Sequence, residues 1–101
     1  MKLSEVKIKH GRLPDVPGVY LMKNAKGKVI YVGKATSLKR RVLSYFQRPQ
    51  DLRIQHMVSE IHEIDYLEKP TVIEALILEA NLIKYYFPFY NIKDKDNKSF
   101  L

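Results

Sequence analysis

Five side chains in this sequence have the chemistry needed to cut a phosphate ester. They are, in chain order, Tyr20, Tyr31, Lys34, Arg41 and Glu79. Phenols can orient or deprotonate water, cationic groups can bind phosphate oxygens, and a carboxylate can hold a hard divalent cation. Together they predict a metal-assisted site that cuts a phosphodiester bond, with Asn91 as a supporting hydrogen-bonding group.

Each of these residues has a predicted role. Glu79 is predicted to hold one Mg²⁺ or Mn²⁺ ion, because a single carboxylate leaves a hard cation the several waters that it prefers. Arg41 offers a planar fork to phosphate oxygens, and Lys34 adds a point charge that can lower the pKa of a nearby phenol. We favour Tyr31 as the general base because it is nearest to Lys34 in the sequence. Tyr20 would orient the water, although the two roles are interchangeable on these grounds.

A β-hairpin is predicted to bring the two tyrosines together. Its strands, residues 19–23 and 28–32, are separated by the turn sequence NAKG, which has glycine where a positive φ is wanted. Neighbouring side chains on a strand point to opposite faces, so Tyr20 and Tyr31 can line the same side of the hairpin. The alternative is that both are β-favouring aromatic residues packed across a sheet.

The same alternation assigns faces to the rest of the second strand. Ile30 and Val32 are predicted to share one face, with Val29 and Tyr31 on the other. Gly33 ends this strand and lets the backbone turn with little obstruction, and Gly18 opens the first strand. Both glycines are interpreted as structural.

A helix over residues 38–46 is predicted to present one arginine to the site. Thr36 or Ser37 can cap its start. Its inward stripe comprises Leu38, Val42 and Tyr45. Arg41 lies beside this stripe, whereas Arg40 points towards solvent, so Lys39 and Arg40 are predicted to contact DNA phosphates without specificity.

The main helix is predicted to start at Thr71, where a capping box with Glu74 fits the sequence, and to end at about residue 86, before Pro88. Glu79 projects from its apolar side. A lone carboxylate there is unfavourable unless a cation or hydrogen bonds compensate it. The alternative to a metal is a structural salt bridge.

The pattern as a whole predicts an α+β fold with a sandwich-like arrangement. A further helix over residues 52–62 and a third strand over residues 64–68 complete a small, mostly antiparallel three-stranded sheet flanked by helices. We expect one domain over residues 1–101, with a loose lead-in over residues 1–13 and a loose tail over residues 94–101.

Composition narrows the class of partner. The net charge is +7, from 18 lysines and arginines against 11 acidic residues, which favours a polyanion such as nucleic acid. No apolar run is long enough for a transmembrane helix, and no signal peptide is evident, so we expect no membrane partner. The absence of cysteine fits a reducing cytoplasm. The three histidines are interpreted as surface residues.

The order of these motifs resembles the GIY-YIG nuclease family. GVY and YVG strands are separated by ten residues, and a lysine, a helical arginine, a helical glutamate and an asparagine follow in turn. Val19 and Val32 replace the isoleucines of the family name. The runs IYVGKATSLKRRV and ALILEANLIKYYFPFYNI resemble the UvrC type, which belongs to the excinuclease of bacterial nucleotide excision repair. The likeness covers residues 14–100.

The resemblance implies a set of active-site residues. The family's positions match Tyr20, Tyr31, Gly33, Arg41, Glu79 and Asn91, and Lys34 matches the lysine of the UvrC type. It also implies a metal-dependent DNA endonuclease that makes the 3′ incision in a damaged duplex, with UvrB as partner and no small-molecule cofactor.

Alternatives to this function stay open on the sequence. They are a non-catalytic DNA-binding module, another structure-specific GIY-YIG nuclease, and a domain that docks on an acidic protein. UvrC-type proteins are far longer than 101 residues. We therefore expect either an excised domain or a short stand-alone relative.

Overall fold

The computed structural model describes residues 2–92. The predicted loose tail, residues 94–101, lies outside this part of the chain. The regular elements are strands β1 (Lys7–Ile8), β2 (Gly18–Lys23), β3 (Val29–Ala35) and β4 (Glu63–Glu68), and helices α1 (Leu38–Gln47), α2 (Leu52–Glu60) and α3 (Val72–Tyr86). Two short 3₁₀ turns, Leu3–Glu5 and Lys9–Gly11, flank β1. The predicted α+β class is confirmed.

The sheet has four strands in the order β1-β4-β2-β3. Strand β2 is antiparallel to both β3 and β4, and β1 runs parallel to β4. The predicted three-stranded sheet was therefore wrong in its number of strands. The lead-in supplies the extra strand, which is two residues long and too short to show alternation in the sequence. Strand β3 lies at an edge of the sheet, with one side of its backbone unpaired within the sheet.

Helices cover both faces of the sheet. Helices α1 and α2 pack on one face, over a buried cluster that includes Tyr20, Met22, Leu38, Val42, Met57 and Ile64. Helix α3 packs on the other face, against Val19, Leu21, Val29 and Val32. Each such side chain contributes about 1.5–3 kcal/mol when it is withdrawn from water. The two faces of β2 and β3 are therefore both fixed by packing.

A bulge in the hairpin changes one predicted face. Met22 pairs with Tyr31 and Lys23 pairs with Val29, which leaves Ile30 without a partner in β2. Ile30 packs in the cluster under α1 and α2, whereas Val32 packs against α3. The prediction that these two residues share a face was wrong, because an extra residue resets the alternation.

Helix starts follow the predicted caps. The Ser37 hydroxyl accepts a hydrogen bond from the Arg40 amide at 3.2 Å, and the Thr71 hydroxyl accepts one from the Glu74 amide at 3.1 Å. The predicted inward stripe of α1, comprising Leu38, Val42 and Tyr45, is buried. Across residues 2–92, no helix is both long and apolar enough to cross a membrane.

Gly18 and Gly33 stand where side chains would collide with neighbours. A Cβ atom on Gly18 would lie 2.8 Å from Cδ1 of Leu38 and closer still to the Leu67 carbonyl oxygen. Gly33 pairs with Tyr20 across β2 and β3. A Cβ atom on Gly33 would lie 2.9 Å from Cε1 of Tyr20 and would overlap the phenol carbon and oxygen. The absence of a side chain at Gly33 therefore makes room for the Tyr20 ring.

We predict that Gly33→Ala lowers the free energy of unfolding by about 2 kcal/mol, because the methyl group overpacks the seat of the Tyr20 ring. Urea denaturation measures this change. In a Tyr20→Leu background, which lacks the atoms that would collide, the same substitution should have an effect of less than about 0.5 kcal/mol. Equal effects in both backgrounds would contradict the proposed contact.

Candidate active site

Tyr20 lies at the centre of a cluster of three phenols. Its side chain is 1% exposed, and its hydroxyl shares a 2.8 Å hydrogen bond with the hydroxyl of Tyr45. Its ring centroid is 6.2 Å from that of Tyr31 and 6.0 Å from that of Tyr45. The two predicted tyrosines therefore line the same side of the hairpin.

The environment of Tyr20 keeps its phenol protonated. Burial raises the pKa of Tyr20 well above its ordinary value, and the neighbouring Tyr45 and Tyr31 raise it further, while Arg41 opposes the shift. At neutral pH this group can donate a hydrogen bond but is a poor base. Tyr31, which is half-buried, is the more accessible phenol of the predicted pair.

Arg41 faces the phenols, as predicted, and Arg40 does not. The guanidinium carbon of Arg41 is 4.8 Å from the ring centroid of Tyr45, in cation–π geometry. Burial lowers the pKa of Arg41, but the three phenols together outweigh this effect and raise it, so the guanidinium stays charged. The Arg40 side chain is 82% exposed, and its closest acidic partner within residues 2–92 is Asp15 at 3.8 Å.

Tyr45 is the site residue that sequence reasoning missed. It was predicted only as part of the inward stripe of α1, yet it bonds Tyr20 and carries the Arg41 guanidinium on its ring. A signal was present in the sequence, because Arg41 and Tyr45 are four residues apart on one helix and therefore share a face. The apolar character of the stripe hid the polar end of this tyrosine.

Glu79 is held at the free edge of β3. Its Oε2 atom accepts a 3.0 Å hydrogen bond from the backbone amide of Lys34. Among residues 2–92, no lysine, arginine or histidine nitrogen lies within 4 Å of this carboxylate. The alternative of a structural salt bridge is thus not realised in the described part of the chain. Glu79 is partly exposed, and Lys34 lies one residue before the end of β3.

Asn91 binds the same edge two residues earlier. Its side-chain oxygen accepts a hydrogen bond from the Val32 amide at 2.8 Å, and its side-chain nitrogen donates one to the Val32 carbonyl at 2.9 Å. Val32 lies between Tyr31 and Gly33, so this pair of bonds fixes the strand where the phenol and the glycine are placed. Asn91 acts here as a clamp on the backbone.

The segment that carries Asn91 is tied to α2. The Tyr90 phenol donates a hydrogen bond to the Glu60 carboxylate, and Arg53 donates one to the Tyr90 carbonyl at 2.7 Å. Burial and the Glu60 contact raise the pKa of Tyr90 to about 12. The chain reaches this segment through Phe87, whose left-handed backbone (φ 50°) ends α3 before the buried Pro88. Asn91 is therefore presented from a rigid support.

The donor set fits one hard divalent cation. Within residues 2–92 there is no cluster of three or more acidic, histidine or cysteine side chains, so a fully protein-built metal cage is not available there. Glu79 supplies one carboxylate whose Oε1 atom makes no hydrogen bond to the described residues. A single carboxylate with room for waters is the arrangement that Mg²⁺ accepts.

The predicted DNA contacts lie on different sides of α1. Arg40 lines a cleft of about 380 Å³ together with Lys34 and Arg41. Lys39 lines a separate groove with Leu43 and the lead-in. The structure thus brings three predicted cations to one cleft and leaves Lys39 outside it.

Comparisons with known proteins give one consistent result. A model of the UvrC-like GIY-YIG domain matches residues 16–92. The UvrABC system protein C of Moorella thermoacetica is 52% identical over 92 residues, which are 91% of this chain and 15% of that protein. The protein of the same name from Carboxydothermus hydrogenoformans is 56% identical over 90 residues, 87% of this chain and again 15% of the relative. The chain therefore spans about 15% of the length of these relatives.

A solved structure agrees in fold. The GIY-YIG N-terminal endonuclease domain of UvrC from Thermotoga maritima, bound to its catalytic divalent cation, magnesium, is 45% identical with a TM-score of 0.71. The match covers 77% of this chain and 85% of that one. Point variants of that domain with one tyrosine replaced by phenylalanine, or one asparagine by alanine, are also bound to the divalent cation. The predicted resemblance is confirmed, and this neighbour is an endonuclease domain that binds a divalent cation.

We predict that stability falls as pH rises above about 10 in a way that depends on Tyr20. The folded-state pKa of Tyr20 is raised, so the unfolded phenol ionises first, and the contribution to stability is complete below pH 10 and lost above it. The loss approaches about 1.4 kcal/mol per pH unit. Tyr20→Phe should remove this part of the dependence in urea denaturation between pH 8 and 11. Tyr85→Phe, at a side chain that is 79% exposed, should leave it unchanged. Parallel curves for all three proteins would contradict the assignment.

Proposed function

This chain belongs to the family of UvrC-like GIY-YIG domains, and on that premise we propose that it is a divalent-metal-dependent endonuclease that hydrolyses DNA phosphodiester bonds. The observation that carries the proposal is the Glu79 carboxylate, held by the Lys34 amide with no cationic side chain within 4 Å in the described part of the chain. A carboxylate beside a cationic cleft would weaken the binding of a phosphate group, because the two negative charges repel each other. It is useful where a divalent cation is held between the carboxylate and the phosphate.

Glu79 would hold the cation, Mg²⁺ or Mn²⁺. When bound, the cation supplies Lewis-acid stabilisation of the scissile phosphate and the leaving 3′ oxygen. The Thermotoga variants that lack one tyrosine or one asparagine are still bound to a divalent cation, which supports assigning the metal to the carboxylate. Asn91 would act through Val32 by fixing the strand.

The cationic groups would bind the phosphate. Arg41 offers its fork to the non-bridging oxygens, where negative charge accumulates in the transition state. Its cation–π contact with Tyr45, at 4.8 Å from the ring centroid, positions the guanidinium before DNA arrives. The Lys34 ammonium group is exposed at the same cleft and adds a second positive charge.

The two predicted tyrosines would divide the proton chemistry. Tyr20 stays protonated because burial raises its pKa, and so it would orient the attacking water as a hydrogen-bond donor. Tyr31, the more exposed of the two phenols, is left as the general base. The assignment of roles made from sequence order is thus supported by a difference in burial.

The specific endonuclease reaction that we propose is the 3′ incision of bacterial nucleotide excision repair. Support comes from the sequence resemblance and from relatives named as the C protein of the UvrABC system. On this proposal the substrate is a damaged duplex, UvrB is the protein partner, and the setting is the cytoplasm. The contacts that select the lesion would lie in the partner or in parts of the relatives that this chain does not span.

We predict that Glu79→Gln lowers the nicking of supercoiled plasmid in Mg²⁺ or Mn²⁺ by about 100-fold or more. The amide can still accept the Lys34 hydrogen bond, so thermal unfolding should be unchanged, whereas Mn²⁺ binding measured by electron paramagnetic resonance should be lost. Glu68→Gln, at an exposed carboxylate at the end of β4, is the matched control and should retain both activities. Nicking retained in Glu79→Gln, or lost equally in both variants, would refute the metal role.

A chimera tests the finer function. Residues 1–101 replace the matching N-terminal segment of the Moorella relative, and the chimera is combined with UvrA, UvrB, ATP and an end-labelled duplex carrying one lesion. We expect incision on the 3′ side of the lesion, and Glu79→Gln should remove it. The chimera and its Glu79→Gln variant should both still cut, on the 5′ side, a duplex that is already nicked on the 3′ side. This result would show that the rest of the chimera is intact. Incision on the 3′ side that survives Glu79→Gln would reject the assignment.

A further inference from the structure

The geometry points to a second contact for the DNA backbone at Arg48, where the cleft lined by Lys34 and Arg41, here called the catalytic cleft, meets a groove between α1 and α2. This inference rests on the proposed endonuclease function and specifies the path of the strand beyond the scissile phosphate. Arg48 follows directly after α1 and was not among the residues singled out from the sequence.

Arg48 belongs to two adjoining depressions of the surface. The catalytic cleft, of about 380 Å³, extends from Lys34 past Arg41 and Ser44 to Arg48. The groove between α1 and α2, of about 290 Å³, begins at Tyr45 and Arg48. Because Arg48 lines both, the two depressions adjoin at this residue, and together they are called the track.

The positive charge of the track lies in the cleft, up to Arg48, where the track enters the groove between α1 and α2. The cationic side chains that line it are Lys34, Arg40, Arg41 and Arg48, and no carboxylate of residues 2–92 lines either depression. Arg40 is compensated by Asp15, whereas Arg48 has no ion pair within residues 2–92. An uncompensated arginine in a concave, carboxylate-free surface is suited to a phosphate group.

The backbone around Arg48 is fixed before DNA binds. The side-chain nitrogen of Gln50 donates to the Ser44 carbonyl at 3.0 Å, and that of Gln55 donates to the Gln50 carbonyl at 2.6 Å. Pro49 follows Arg48 directly and restricts the chain further. Little conformational entropy is therefore lost at the backbone when Arg48 binds a ligand.

The spacing fits a strand that continues from the scissile phosphate. Arg41 and Arg48 are seven residues apart, which is about 10 Å along α1. A DNA strand rises about 3.4 Å per nucleotide along the duplex axis. With α1 aligned along the duplex axis, Arg48 would contact a phosphate about three nucleotides from the one bound by Arg41.

Lys39 is the matched control for Arg48. Both are exposed cations at the two ends of α1, and a loss of net charge is the same for each. Lys39 lines the groove on the lead-in side, together with Leu13 and Pro14, away from the catalytic cleft. The sequence-based prediction that Lys39 contacts DNA without specificity implies equal effects at both positions, whereas a defined track predicts an effect at Arg48 alone.

Binding is measured with an uncut 30-bp duplex in the Glu79→Gln background, in Ca²⁺, over a series of salt concentrations. We expect Arg48→Ala to weaken binding about tenfold and to reduce the slope of log affinity against log salt by about 1. Lys39→Ala should leave the slope unchanged, and Arg48→Lys should retain most of the affinity. Equal slopes for Arg48→Ala and Lys39→Ala would overturn the inference.

Site-directed cross-linking gives a second readout, since the chain has no cysteine of its own. Arg48→Cys and Lys39→Cys are each labelled with azidophenacyl bromide and irradiated with the same duplex. We expect cross-links from position 48 and not from position 39. Cross-links from both positions, or from 39 alone, would reject the track. Both assays report binding without cleavage. They can therefore contradict the Arg48 contact while the nicking assay of Glu79→Gln supports the endonuclease function, or support the contact while the nicking assay contradicts that function.

Discussion

The unpaired edge of β3 is the constraint on which the site depends. An edge strand presents backbone donors and acceptors on one side, and these groups need partners where they are withdrawn from water. Here Val32 is paired by the Asn91 side chain, and the Lys34 amide is paired by Glu79. Two residues from later in the chain are therefore fixed against a rigid sheet by hydrogen bonds that the sheet itself requires. A carboxylate held in this way can keep its other oxygen directed to a ligand without a salt bridge to orient it.

A different constraint applies on the face of the sheet, where the Tyr20 phenol is enclosed. Tyr20 is accommodated because Gly33 lacks a side chain, and its hydroxyl is paired with that of Tyr45. The same burial raises the pKa of Tyr20, so the enclosed phenol stays protonated; in the proposed mechanism it is the donor and the more exposed Tyr31 is the base. The proposed proton roles thus follow from depth in the fold, and Arg41 places a positive charge beside the phenols, 4.8 Å from the Tyr45 ring centroid.

The positive charge of the chain is not used uniformly. A net charge of +7 favours a polyanion, but only some of the cations line the proposed catalytic cleft and its proposed extension past Arg48. Lys39 lies on the other side of α1, and Arg40 is partly compensated by Asp15. Placement relative to the cleft therefore separates residues that would bind a strand in register from those that attract DNA in general.

The sequence by itself determined the hairpin, the caps at Ser37 and Thr71, the buried stripe of α1, and the choice of Arg41 over Arg40, because these depend on local periodicity and local hydrogen bonds. It also determined which residue types were available for chemistry. Only the tertiary structure decided the fourth strand, the bulge at Ile30, the pairing of Tyr45 with Tyr20, and the positions of Glu79 and Asn91. The reason is separation along the chain: Glu79 lies 45 residues from Lys34, and Asn91 lies 59 residues from Val32. Local sequence patterns cannot predict such contacts. They form because α3 packs on the sheet and Tyr90 is anchored on α2, which brings the partners together.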